Sequence, residues 1–142
     1  TALVGAGFAR YGFKREAGRL LEDVFALSLH FERARLPELL CGFPRRHGYG
    51  PTPYPVACAP QSWAAGAPFL LLGALLGLQP DAENGSLVAY KPYLPEFLHD
   101  VAINELHLGG AAVGLHCQRS SRIGALSLTS TGPADLHVIG RS

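Results

Sequence analysis

Methionine is absent from the sequence. A complete gene product normally begins with Met, so we expect this chain to be a fragment or a processed piece of a longer protein. Charged residues make up 16% of the sequence, below the usual quarter of a soluble domain. With so many Ala, Gly and Leu residues, this low charge indicates that chain outside these 142 residues covers part of the surface.

An excess of charge of either sign is also absent. The formal net charge is +1, which gives no electrostatic basis for binding nucleic acid or an anionic membrane. The longest apolar run, residues 63–78, is shorter than the roughly 20 residues of a transmembrane helix and contains Pro68. We therefore expect neither nucleic acid nor a membrane as a partner.

Cysteine motifs and the common catalytic signatures are missing too. The cysteines Cys41, Cys58 and Cys117 form no C-x-x-C pair, which argues against a zinc or redox motif. We expect buried free thiols in a reducing, cytoplasmic compartment. Neither G-x-S-x-G nor H-E-x-x-H occurs, and the histidines are scattered. We expect no metal ion and no organic cofactor.

The sequence does contain three segments typical of helices. Small apolar residues fill 1–11, an amphipathic pattern covers 14–32, and an apolar segment runs from 61 to 76 or 78. After a break at 79–85, short alternating segments predict strands, with Gly109-Gly110 as a hairpin turn. The predicted strands are 87–90, 101–108, 112–118, 123–128 and 136–139. We therefore predict a mainly α chain, with helices in 1–80 and a small antiparallel β unit in 86–142.

The region between the second and third helices, residues 33–60, is irregular. Six prolines exclude long regular elements there. A loop this long in a compact domain is usually functional or disordered, and its aromatic residues favour an ordered loop. We interpret the basic residues at 45–47 as a solvated rim. Glu38 lies near the start of the loop.

Two sets of residues resemble a known family. The first is LPEL at 36–39, followed by Cys58, Gln61 and Trp63 in a Cys-x-x-Gln-x-Trp pattern. The second is TAL at 1–3, leading into ARYG at 9–12. Together they resemble the C-terminal part of the catalytic domain of amylo-α-1,6-glucosidases, the glycogen-debranching glycoside hydrolases. The resemblance covers the first half of the chain well and the last third loosely, and it implies the C-terminal part of an (α/α)6 barrel.

The resemblance also implies inverting hydrolysis of an α-glucan. In such a reaction one carboxyl group protonates the leaving oxygen and a second, about 6.5–9.5 Å away, activates water. Glu38 would be the general base, and the general acid would immediately precede Thr1, in the missing N-terminal part of the chain. With one carboxylate of the pair, the isolated chain should be inactive or nearly so. The family often carries Asp or Asn soon after the motif glutamate, whereas LCGF follows here at 40–43. This leaves the linkage open among α-1,6 branch points, other α-glucosides and another sugar.

Four further side chains are candidates for binding the substrate. Trp63 can stack on a sugar ring, Gln61 can hydrogen-bond sugar hydroxyls, and Tyr49 and Tyr54 can line the cleft. Each candidate has a structural alternative. Glu38 can be a helix-cap or surface carboxylate, Trp63 a core residue, Gln61 a helix-terminus residue bonded to backbone, and the tyrosines can pack the loop.

Two other functional classes remain open. Trp63, Tyr49 and Tyr54 beside a β unit would also suit a non-catalytic carbohydrate-binding or interaction protein. A sugar isomerase or epimerase is a third reading, but such enzymes typically use His as acid and base, and the loop offers only His47.

Overall fold

The computed structural model describes residues 1–44, 46–120, 125–133 and 135–139. Three α-helices come first in the chain: α1 (Ala2–Arg10), α2 (Lys14–Ser28) and α3 (Ser62–Leu76). A short 3-10 turn, Glu32–Ala34, follows α2. All three helices lie where the sequence predicts them, because their apolar spacing is a local property of the chain, but α2 ends at Ser28 and not at the predicted residue 32.

The regular elements that the structure describes after α3 are all strands. They are β1 (Leu78–Asp81), β2 (Ser86–Tyr90), β3 (Asp100–Leu108), β4 (Ala111–Arg119), β5 (Leu126–Thr131) and β6 (Asp135–Ile139). One sheet has the order β1-β2-β6, with β2 antiparallel to β1 and parallel to β6. The other has the order β3-β4-β5 and is antiparallel. The turn predicted at Gly109-Gly110 joins β3 to β4, whereas the predicted strand start at residue 123 lies outside the described residues.

The predicted fold class, a mainly α piece from the end of an (α/α)6 barrel, is wrong. The helices have 9, 15 and 15 residues and the strands 4, 5, 9, 9, 6 and 5, so helix and strand are about equally represented. Strand β1 begins at Leu78, directly after Gly77, and pairs with β2 across the segment predicted to be a break. The two strands can pair because Asn84 donates hydrogen bonds to Asp81 and closes the turn between them. The parallel pair of β2 and β6 joins segments distant in the sequence, so local pattern could not reveal it. The division at residues 80–86 stays a prediction.

Three buried clusters form the core. The helical cluster joins Ala9 of α1, Ala17 and Leu21 of α2, and Leu71 and Leu75 of α3. A second cluster lies within the sheets, at Leu87, Leu108, Val113 and Leu115. The third consists of Leu76, Leu94 and Cys117, from α3, the segment after β2, and β4. The third cluster therefore packs the end of α3 directly against the strands.

Gly77 and Lys14 fix the junction between α3 and the sheets. Gly77 ends α3 in the left-handed region, at φ 64° and ψ 34°, and its carbonyl accepts a hydrogen bond from Tyr90 N at 2.9 Å. Lys14 Nζ donates to the carbonyl oxygens of Leu75 at 2.9 Å, Tyr90 at 3.0 Å and Lys91. Burial lowers the pKa of Lys14, and the positive charge of Lys91 lowers it further. One ammonium group thus joins the start of α2, the end of α3 and the chain beyond β2.

Candidate functional site

The Glu38 segment is held against the segment that leads into α3. Glu38 N donates to Cys58 O at 2.8 Å, and Cys58 N donates to Glu38 Oε2 at 3.3 Å. Gln61 N adds a hydrogen bond to Leu36 O at 3.2 Å. Leu36 and Pro37 are buried, whereas Glu38 is half-buried. The pairing therefore orients the Glu38 carboxylate and leaves part of it accessible to solvent.

Gln61 caps the N-terminus of α3. Its side-chain Oε1 accepts hydrogen bonds from Ser62 N at 2.8 Å and from Ser62 Oγ at 3.2 Å. Such a cap satisfies an N–H group that lacks a partner within the helix. The side-chain oxygen is thus engaged with the helix, as the structural alternative for this residue expects. Its role in substrate binding stays a prediction.

The loop that begins at Glu38 folds back on itself and encloses one side of a cleft. Leu40 forms a β-bridge with Pro53, and Cys41 N donates to Thr52 O at 3.0 Å. The cleft has a volume of about 790 Å³ and lies between this loop and the second half of α2. That volume falls within the roughly 300–1,000 Å³ of ligand pockets in general. Leu40 and Cys41 line the cleft, whereas Glu38, two positions before Leu40 in the sequence, is not among the lining residues.

Tyr49 is the one predicted substrate-binding residue that lines this cleft. Its side chain is 79% exposed, so its ring is open to a ligand. Tyr54 is 45% exposed and Trp63 is 66% exposed, and neither belongs to the cleft lining. Trp63 lies in the first turn of α3 and is not a core residue. The structure thus pairs Glu38 with Cys58 and Leu36 with Gln61, and it brings Tyr49, but neither Tyr54 nor Trp63, to the cleft.

Several polar residues that line the cleft were not predicted from the sequence to belong to a site. Asp23 and His30 enter it from α2 and the turn after it, and Thr52 and Arg46 enter from the loop. Asp23, Leu27 and His30 recur at intervals of four and three residues, which is the helical spacing that puts side chains on one face. That spacing could have indicated a polar edge on α2 facing the loop. Arg46, expected on a solvated rim, lines the cleft, whereas Arg45 lies outside the described residues.

The cysteines differ in environment, which corrects the expectation of three buried thiols. Cys117 is buried, Cys41 is half-buried and Cys58 is exposed. Burial raises the pKa of Cys117 to about 11, with a smaller opposing effect of the Arg119 charge.

Within the described part of the chain, no three His, Cys, Asp or Glu side chains are grouped so that they could hold a metal ion. Nor does any helix of the described ranges have the length and apolar character needed to cross a membrane.

Comparisons with known proteins add no relative. No protein-family model, curated protein or solved structure matches the chain.

Proposed function

We propose that this chain is the part of an inverting glycoside hydrolase acting on α-glucans that carries the general base, Glu38. Its substrate would be an α-glucan or oligosaccharide, and it would act together with the preceding part of the same polypeptide. The observation that carries the proposal is the position of Glu38. Its carboxylate is oriented by the Cys58 amide, and the next residues of the same loop form the wall of the cleft.

The chemistry of the half-buried carboxylate suits a general base. A carboxylate that accepts a single hydrogen bond on Oε2 keeps lone pairs on both oxygens for a water molecule. The hydrogen bond fixes the carboxylate in space, which is the positioning that general-base catalysis requires. The resemblance to amylo-α-1,6-glucosidases is the reason for choosing glycoside hydrolysis among reactions that use a base.

Thr1 supports the proposed location of the general acid. Thr1 lines the same cleft as Leu40 and Cys41. An acidic residue immediately before Thr1 would therefore lie near this cleft. The proposal requires its carboxyl group and that of Glu38 to stand on either side of the attacking water molecule, as inversion does.

The cleft lining also suits a carbohydrate. Tyr49 and Phe43 are exposed aromatic rings on which a pyranose can stack. Asp23, His30 and Thr52 add hydrogen-bonding groups of the kind that sugar hydroxyls need.

Replacement of Glu38 in the full-length gene product tests the proposal. We expect Glu38→Gln to lower turnover of a branched α-glucan by about 10²–10⁴-fold, the usual contribution of a general base, with little change in binding. Glu32→Gln is the matched control, because Glu32 is an exposed carboxylate paired with Arg33 at 3.6 Å and, unlike Glu38, does not accept the hydrogen bond from the Cys58 amide. Full turnover in Glu38→Gln would refute the proposal, as would release of a product with retained anomeric configuration.

A non-catalytic carbohydrate-binding protein is the second candidate. The observation that favours it is the engagement of Glu38 in the loop, since its hydrogen bond to Cys58 is also what a purely structural carboxylate would form. Under this alternative, Glu38→Gln would leave carbohydrate binding intact and no natural form of the protein would turn over a glucan.

A further inference from the structure

Helix α3 is apolar on all sides, but the structure buries only one side of it. Its residues, Ser62–Leu76, include no charged side chain. A helix that is apolar on all sides is normally buried on all sides. Here Leu71, Leu75 and Leu76 are fully buried, whereas Trp63, Phe69 and Leu70 are 66%, 77% and 42% exposed. One side of α3 is therefore an apolar face that the described residues leave open.

This outer α3 face consists of Trp63, Gly66, Phe69, Leu70 and Gly73. Four of these residues recur at intervals of three and four, so they form one stripe along the helix. Apart from the adjacent backbone of α3 itself, no atom of the described residues lies within 4 Å of where a Cβ at Gly66 or Gly73 would be. A continuous exposed apolar surface of this kind marks an interaction site in soluble proteins.

At its C-terminal end the outer α3 face continues into a basic groove. The groove has a volume of about 1170 Å³ and is lined by Phe69, Leu70 and Gly73 together with Arg10, Lys14 and Lys91. Among the described residues that line the groove there is no carboxylate.

Two of the three cations in the groove lack a carboxylate partner among the described residues, and Lys91 Nζ lies 5.4 Å from the centroid of the Tyr90 ring. Lys14 already donates to three carbonyl oxygens. In the described ranges the salt bridges are Glu32 with Arg33 and Asp100 with His116, so neither Arg10 nor Lys91 has a carboxylate partner there. The charge of Lys91 acts on Lys14, which means that the positive charges in the groove reinforce one another.

We propose that the outer α3 face and the basic groove dock an amphipathic helix of a partner protein, whose apolar side contacts Trp63 and Phe69 and whose carboxylates pair with Arg10 and Lys91. An apolar helix face is the natural complement of a long apolar stripe. Because the groove is basic, we expect the partner helix to carry its acidic residues at the end that lies in the groove. A second copy of this chain is a poor complement, because its own α3 carries no carboxylate and its groove would bring the same positive charges. This inference does not depend on the hydrolase proposal.

Trp63 makes the proposal directly testable, because it is the sole tryptophan and belongs to the docking face. The chain is titrated with two synthetic helical peptides that share one apolar face and differ only in carrying two Glu or two Lys residues at one end. The Glu peptide is expected to shift the Trp63 emission to shorter wavelength and to saturate. The Lys peptide is expected to bind about fivefold more weakly than the Glu peptide. The difference is this small because exposed ion pairs contribute little to affinity. High salt should reduce the difference between the two peptides.

Matched variants locate the peptide. Phe69→Ser should abolish the emission shift, whereas Leu29→Ser, which replaces a 70% exposed leucine just after α2, should leave it unchanged. The double variant Arg10→Gln/Lys91→Gln should bind both peptides equally. Circular dichroism establishes that each variant is folded before it is compared.

Three results would overturn the proposal. Equal affinity of the two peptides for the wild-type chain would show that the groove does not select a partner with acidic residues. An emission shift that depends on protein concentration alone, with a dimer detected by light scattering, would assign the face to a second copy. No emission shift with either peptide would show that the face does not dock a helix.

Discussion

Gly77→Ala probes the junction on which the packing of helices against strands depends. Gly77 adopts φ 64°, a conformation that costs a residue with a Cβ about 1–2 kcal/mol. In addition, a Cβ there would lie 2.0 Å from Tyr90 O and 2.9 Å from Tyr90 C. These are backbone atoms, and Tyr90 N is itself hydrogen-bonded to Gly77 O, so relief of the overlap requires β2 to move.

The expected loss in the free energy of unfolding combines both effects. Overpacking against a fixed neighbour typically costs about 1–3 kcal/mol, so the total is about 2–5 kcal/mol. This is a large share of the roughly 5–15 kcal/mol by which a typical domain is stable.

The assay is urea unfolding followed by circular dichroism, with Gly73→Ala as the matched control. Gly73 is a helical glycine of α3 at which a Cβ meets nothing within 4 Å. Gly73→Ala should therefore stabilise the protein by about 0.5–1 kcal/mol. If Gly77→Ala unfolded at the urea concentration of the wild type, the account of this junction would be refuted.

Two further predictions concern Lys14 and the thiols. Lys14→Met should lower the free energy of unfolding by about 1–2 kcal/mol, because three carbonyl oxygens lose a donor. The pKa of Lys14 is lowered in the folded state, so the unfolded state binds more protons between that pKa and 10.5, and the Lys14 contribution to the free energy of unfolding rises with pH there. Urea unfolding at several alkaline pH values should show this rise in the wild type, and an identical pH slope in Lys14→Met would contradict it. With a thiol reagent at pH 8, Cys58 should react fast and Cys117 slowly, since Cys117 is buried and its pKa is about 11. Cys58→Ser should remove the fast phase. If Cys117→Ser removed it instead, Cys117 and not Cys58 would be the reactive thiol.

The helices could be predicted from the sequence because helical spacing and capping are local. The amphipathic pattern of 14–32 predicts α2, which ends at Ser28, and the apolar run after Gln61 predicts α3. The strands could be located for the same reason, as alternation over a few residues shows in β3 and β4.

The fold class could not be predicted, because it depends on long-range pairing. The parallel register of Ser86 with Asp135 joins β2 to β6 and leaves no local trace in the sequence. Similarly, Gly77 looked like one of several glycines in an apolar segment. Its role becomes visible only when Tyr90 is seen beside it.

The candidate site was partly predictable. The LPEL motif drew attention to Glu38, and Cys58 and Gln61 are the residues that pair with its segment. The cleft could not be predicted from the sequence, because it forms only where α2 and the loop meet in space. The positions of Asp23 and Arg46 in its lining are therefore visible only in the fold.

The most direct test of the central claim is an NMR titration of the isotopically labelled chain with a 1,6-branched α-glucan oligosaccharide. If the cleft beside Glu38 is the glucan site, amide resonances of Tyr49, Thr52 and Cys58 shift together and saturate, and Tyr49→Ala weakens the binding. Resonances that remain unchanged at these positions, or that shift equally in Tyr49→Ala, would contradict the assignment of this cleft to α-glucan.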